Sequence, residues 1–228
     1  MSLPLMLFLA AAPVPQTWNF QTDGTPEVRI SNIEGEILIE GVDGNSILFE
    51  VVQDGSEEER RRSPVEVVQQ GDVVKARVCC GPCAEKRSSC GDVATTRFRV
   101  KVPRGTELNL SSVNAEVKVE GVEGEQEIAA VDGRVEVKGS QRALSVSAVS
   151  GEVVLVPRAV RETSVSTVSG AVKLRLPKDS DAELEFSSVS GSFNGESAAL
   201  RSMKRKYGKG THEIEVSTVS GALQVQQD

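Results

Sequence analysis

Four cysteines, Cys79, Cys80, Cys83 and Cys90, fall within twelve consecutive positions, and the 228-residue chain has no others. Three chemistries use thiols this close together. Cys80-Gly81-Pro82-Cys83 matches the dithiol of thioredoxin-like oxidoreductases. That chemistry needs the first thiol at a helix N-terminus, where its pKa falls. A tetrahedral zinc site with four cysteine ligands is the second, but spacings of 1, 3 and 7 residues crowd the ligands. Two structural disulfides are the third, and the even count favours them. Three connectivities are open; Cys79–Cys90 with Cys80–Cys83 would staple the base of a loop.

A second group is cationic. The stretch Gly195–Gly210 carries Arg201, Lys204, Arg205, Lys206 and Lys209 against Glu196 alone, in a chain of net charge −7. It reads either as a contact for anionic lipid headgroups or envelope polymers, or as a solvated loop between strands. The acidic balance argues against nucleic acid as a partner, since phosphate binding needs a basic face. The one histidine, His212, stands just before the last repeat with no partner motif. No nucleophile elbow, phosphate-cradling loop or metal-ligand helix occurs. The sequence therefore assigns no catalytic residue, no metal ligand and no cofactor.

The elements that carry these groups come from a repeat. Val165–Leu176 (VSTVSGAVKLRL) has close relatives at 146–156, 186–193 and 216–225, and looser ones at 30–39, 110–119 and 128–137. Aligned on a central small residue, the copies give Gly35, Ala115, Gly133, Gly151, Gly170, Gly191 and Gly221. The last six are 18, 18, 19, 21 and 30 residues apart. A period near 20 residues with β composition marks a stacked array. Alternation along each copy slips phase once, so the repeat reads as two short strands meeting at a corner. In the Val165 copy, Val165 and Thr167 face inward before the slip. Val168, Val172, Leu174 and Leu176 are expected inward after it. The corner admits only a residue with little or no Cβ. The fold class is accordingly all-β, a β-solenoid of about seven two-strand coils.

The flanks are read from composition. Residues 1–17 form an apolar leader, with Leu3–Ala12 as the core of a secretory signal. Residues 18–228 form one domain, with the cysteine loop at 79–90. Trp18 and Phe20 are expected to cap the stack. Ser56–Ser63 (SEEERRRS) is read as a solvated charged loop, and Val65–Gln70 with Val73–Val78 as a hairpin excursion.

The recurring S-x-V-S-G-x-V-x-V, the preceding Val100–Gly105 (VKVPRG) and the closing Gly208–Gly221 (GKGTHEIEVSTVSG) resemble the bacterial "putative adhesin" family of β-strand-repeat proteins of unknown function. The resemblance covers Trp18 to the C-terminus and omits the cysteine loop. It implies an exported β-solenoid at the periplasm, cell surface or outside the cell, non-enzymatic, binding an envelope polymer, a lipid surface or a protein. The alternatives are a carbohydrate-active β-helix enzyme, or a metal or redox module on the cysteine loop. Outward positions such as Ser147, Ser166, Ser187 and Ser217 are small hydroxyls, where a polysaccharide-cleaving face would need clustered Asp, Lys or Arg.

Overall fold

The computed structural model describes residues 14–85, 90–198 and 201–228. Of the leader, residues 1–13 lie outside them, while Gln16 and Thr17 already belong to the first strand. Most of the described chain is strand: β1 (Gln16–Gln21), β2 (Glu27–Val42), β3 (Ser46–Asp54), β4 (Val65–Gln70), β5 (Val73–Val78), β6 (Thr95–Pro103) and β7 (Glu107–Glu120). There follow β8 (Gln126–Asp132), β9 (Arg134–Lys138), β10 (Leu144–Val156), β11 (Thr163–Leu176), β12 (Ala182–Ser188) and β13 (Ser192–Phe193). The last are β14 (Glu196–Ser197), β15 (Arg201–Tyr207), β16 (His212–Thr218) and β17 (Ala222–Gln227). One helical turn, α1 (Glu57–Arg62), interrupts them.

The repeats stack in parallel and in register. Leu144, Val146 and Ala148 of β10 pair with Thr163, Val165 and Thr167 of β11, and beyond the corner Val153 and Leu155 pair with Val172 and Leu174. Each layer thus has a first arm before its corner and a second arm after it. Like residues fall above like, and the interior becomes ladders of Val, Ile and Leu, nearly all fully buried. Loops form the third side, where Val122 and Val160 close the core.

Stack order departs from chain order at both ends. β2 lies between β7 on one side and the layer made by β5 and β6 on the other. β16 and β17 lie between β11 and the layer made by β12 and β13. Apart from the edge strand β1, the segment nearest each end of the described chain is therefore held between two neighbours. β5 belongs to this stack, so the β4–β5 hairpin is part of the array and not an excursion. At either edge each arm gains an antiparallel strand: β4 on β5 and β15 on β12 for the first arm, β14 on β13 and β3 on β6 for the second, with β1 added antiparallel outside β3. A strand running the opposite way cannot extend the parallel template, and it blunts the edge against further pairing.

The corner glycines meet the layer below. A Cβ on Gly170 would collide with the carbonyl oxygen of Gly151, and one on Gly151 with that of Gly133. Gly151 also has φ +120°, which side chains avoid. The phase slip lies one step later than the sequence reading placed it. Thr163, Val165 and Thr167 are buried, Val168 continues the alternation outward, and the chain turns at Ser169-Gly170 before Val172. The valine of every V-S-G is exposed, not inward as expected.

Large rings mark the ends. The described aromatic residues Trp18, Phe20, Phe49 and Phe98 lie at one end of the stack, and Phe186, Phe193 and Tyr207 at the other. Phe20 meets Phe49 edge-on at 6.3 Å, and Phe186 lies 5.9 Å from Phe193. Interior layers repeat one slot shape at a fixed spacing of about 4.8 Å, which suits branched aliphatics. Only the end layers have room for rings.

Two segments read as loops are ordered. Ser56–Ser63 is the helical turn, because Ser56 Oγ accepts from the Glu59 amide (3.2 Å) and Glu59 Oε2 accepts from the Ser56 amide (2.6 Å). This S-x-x-E capping box, with acids in the first turn and bases in the last, is legible in SEEERRRS. Gly195–Gly210 contains β14 and β15 rather than a loop, since Met203 and Tyr207 pack against the core.

A branched side chain at the corner should be far worse than a polar one on the outside. Gly170→Val is expected to cost roughly 3 kcal/mol or more in urea unfolding. Val168→Thr should stay within about 1 kcal/mol. Equal midpoints for the two variants would contradict the stacking geometry.

Candidate functional site

The outer face of the first arm carries two columns that run from the β2 layer to the β12 layer; in the β5 layer Arg77 stands in the position of the first column. One is small: Ser31, Ser111, Ala129, Ser147, Ser166, Ser217 and Ser187 follow one another layer by layer. Two residues further along each strand is the valine of the V-S-G motif. Val113, Val131, Val149, Val168, Val219 and Val189 are 46–53% exposed, and half-buried Ile33 extends the row. The small column is the floor of a groove of about 530 Å³, walled by Val113 to Val168, and no charged residue lines it. The next polar residue of each copy pins the ridge from the far side. Ser220 donates from its backbone amide to Val168 O (2.9 Å), and Ser190 to Val219 O (2.9 Å). Beneath the ridge, Thr167 Oγ1 donates to Thr218 Oγ1 (3.0 Å), and Asn32 Nδ2 to Thr96 O (2.9 Å).

The outer face of the second arm is its electrostatic opposite. Glu152 accepts from Arg134 and Lys173, and Glu136 from Arg134 and Lys138, while Lys138 also reaches Glu120 at 3.5 Å. The Lys173 hydrogen bond holds the Glu152 carboxyl below the usual range. Lys138 does the same for Glu136, and its own ammonium is raised by Glu136 in return. Such a lattice neutralises itself.

The residues singled out from sequence are scattered. Val78 leads out of β5 and Thr95 begins β6, so the cysteine segment is the expanded corner of an end layer. The disulfides are Cys79–Cys83 and Cys80–Cys90, one of the three open connectivities and not the Cys79–Cys90 with Cys80–Cys83 staple, and no described cysteine is free. The physical reason is the backbone path: the Cys79 amide donates to Pro64 O (2.9 Å) and the Gly81 amide to Arg62 O (2.6 Å). Those bonds turn the chain so that the Cα atoms of Cys79 and Cys83 come within 5.2 Å. Cys80 and Cys83 thus bond to different partners, and the Cys-Gly-Pro-Cys stretch is not a redox pair.

The basic residues lie on an edge strand, where alternation splits them. Arg201 pairs with Ser188 in the ladder. Lys204 bonds Glu185 (2.9 Å), Arg205 lies 5.6 Å above the Phe193 ring, and Lys206 and Lys209 are exposed. His212 Nε2 accepts from Arg161 Nη1 at 3.0 Å, which gives this ring a structural partner. The valine ridge was missed by the sequence reading, which assumed that a motif valine must be core. Continuing the alternation from Val165 and Thr167 through Val168 finds it.

Two measurements check these surfaces. In exported protein, denaturing alkylation should label no thiol before reduction and four after it. Cutting bridges that close such short loops costs roughly 2–3 kcal/mol each at most, so the array should stay folded. The lattice sets a pH window. Glu136 and Glu152 stabilise the fold above the ordinary carboxylate pKa of about 4.3, and this is lost as pH falls through their lowered folded values. Lys138 stabilises below the ordinary lysine value of about 10.4, and this is lost as pH rises through its raised one. Melting temperature should be level between those limits and fall on acidification, less steeply in Glu152→Gln. A level profile down to about pH 2 would contradict the linkage.

Among solved structures, one of low identity shares this architecture, and two others are similar over most of their length. A "putative cell adhesion protein" from Clostridium sporogenes aligns over 95% of this chain and 100% of its own, at 15% identity and a TM-score of 0.52. A "putative adhesin" from Bacteroides fragilis covers 95% and 100% at 10% identity and a TM-score of 0.44. A "putative lipid binding protein" from Parabacteroides distasonis covers 92% and 96% at 14% and 0.36. No curated protein matches the chain. Residues 69–226, from the end of β4 to β17 and so including most of the V-S-G corners and the cysteine segment, match the Toastrack DUF4097 model, and the chain belongs to that family, an all-β, solenoid-like fold.

Proposed function

We propose that this chain is a non-enzymatic binding or scaffold domain of the bacterial envelope, and that its contact surface is the outer face of the first arm. One observation carries the reading: an uncharged strip of small residues and exposed valines runs through the layers from β2 to β12 in a chain that is 26% charged. A contiguous apolar strip of this length costs solubility unless something covers it. The self-neutralised second arm supports binding over catalysis, as does the lack of a convergent acid–base pair among the described residues of the first arm. The "cell adhesion" description of the Clostridium sporogenes structure accords with it. An elongated ligand of regular repeat, such as an envelope polymer, an acyl chain at a lipid surface or a protein, would meet the same side chains at each layer.

Export belongs to the same proposal. Leu3–Ala12 has the length and composition of a signal core, and two disulfides require an oxidising compartment. Protein recovered from the periplasm should lack residues up to about Ala12 by intact mass; retained Met1 would count against a cleaved signal. For the contact surface, wild-type protein should sediment with isolated envelopes, and Val131→Glu/Val168→Glu should reduce this about tenfold, the effect of 1.4 kcal/mol. An equal loss in Val154→Glu, on the second arm, would overturn the assignment of the surface.

A further inference from the structure

Ridge and groove occupy the same face and repeat at the same spacing. On the first arm, the small column and the valine column are two residues apart along each strand, about 6.8 Å. Successive layers repeat both columns about 4.8 Å apart. Ser147 lies beside Val149, Ser166 beside Val168, Ser111 beside Val113 and Ala129 beside Val131, always in that order along the strand. A two-fold axis laid parallel to the stack, midway between the columns, exchanges them. Rotation about it brings the valine ridge of one copy over the small column of another, while each layer stays level with its own equivalent. Val149 of one copy then faces Ser147 of the other, and Val168 faces Ser166, at every layer at once.

We infer that the occupant of this face is a second copy of the chain, bound face to face about that axis as an isologous dimer. The inference rests on the first-arm surface named above and adds the partner. Three features favour this occupant. The repeat spacing is matched without adjustment, which few other ligands achieve along about 30 Å. The strip, about 14 Å wide across two columns and their flanks, covers roughly 420 Å² per copy, the size of a small, weakly associating interface. Charge fits as well. From the β2 layer to the β12 layer the two columns are uncharged, Arg77 of β5 lies beyond their end, and the flanking residues Arg29, Asn109, Glu127, Glu215 and Glu185 lie one column outside them. They form the polar rim of such a contact and leave no like charges opposed at its centre, although each chain carries −7.

The size of the exported protein tests this by sedimentation equilibrium at about 50 μM, above the micromolar dissociation constants that interfaces of this size can have. Wild type is expected as a dimer. Val149→Glu/Val168→Glu should be monomeric, with a dissociation constant raised roughly 100-fold or more by carboxylates forced against a dry face. Its circular dichroism should stay unchanged, because both side chains already point outward, and its melting should match that of wild type diluted below the dissociation constant. Val154→Glu, on the other arm, should remain dimeric. A mixture of Ser147→Cys and Val149→Cys chains should oxidise to the mixed disulfide in preference to either self-pair. A monomeric wild type, a dimer indifferent to the Val149/Val168 substitutions, or preferred self-pairs would each overturn the dimer. A monomer whose envelope sedimentation still depends on the ridge overturns the partner and leaves the binding surface standing. A monomer that is indifferent to the ridge in both assays overturns both.

Discussion

Every layer of this molecule is set by the contact between the corner of one repeat and the carbonyl of the repeat below. Gly170 over Gly151, Gly151 over Gly133 and Gly133 over Ala115 leave no room for a side chain between layers. The inter-strand spacing of about 4.8 Å is held through the bend only because the backbones approach there directly. That approach forces the register, since a slip of one residue would put Ser169 or Ala171, or Ser150 or Glu152, where the glycine must be. Register in turn aligns the aliphatic ladders inside and the serine and valine columns outside. The exposed ridge is thus a by-product of the same corner. The residue two before the glycine must point away from the core once Thr167 and its equivalents point into it.

A stack closed only by its own repeats would fray from its ends and recruit other chains at its edges. Here the terminal layers are locked by placement. β2 is held between β6 and β7, and β17 between β11 and β13, so neither can leave without breaking two ladders. Antiparallel strands are added outside the array at both ends, with β1 lying outside β3, and these added strands carry most of the rings and the basic residues. Met203 and Tyr207 cover the core at one end, and Trp18 and Phe20 at the other. The cationic cluster is part of this capping, with Lys204 tied to Glu185 and Arg205 over Phe193.

The two outer faces divide polarity between them. On the second arm, long side chains of alternating sign pair across layers, and water and salt bridges cover that sheet. On the first arm, the positions next to the corner are too short to do this, and the valines beside them stay uncovered. A solenoid with one self-satisfied face and one apolar face has a single direction in which association gains buried area. The cysteine segment stands apart from both. It replaces one corner at an end of the stack, where a long insertion can leave the array without disturbing a neighbour on its outer side.

Much of this was legible in the residues. Period, strand character, the corner and its need for glycine follow from V-S-G recurring in phase with alternating Val and Leu, because local sterics and burial act the same way in every copy. The capping box at Ser56–Glu59 was equally local. Alternation also contained the outward direction of Val168, though apolar character suggested the reverse. What tertiary structure alone decided was order and partnership. Nothing in the 30-residue gap between Gly191 and Gly221 says that the later copy stacks inside the earlier one. All copies present nearly the same ladder, so any could pair with any other, and loop lengths and end-specific rings make the choice. The disulfide pairing was open for a related reason. Four thiols within twelve residues can meet in several ways, and the backbone bonds from Cys79 and Gly81 to Pro64 and Arg62 select one.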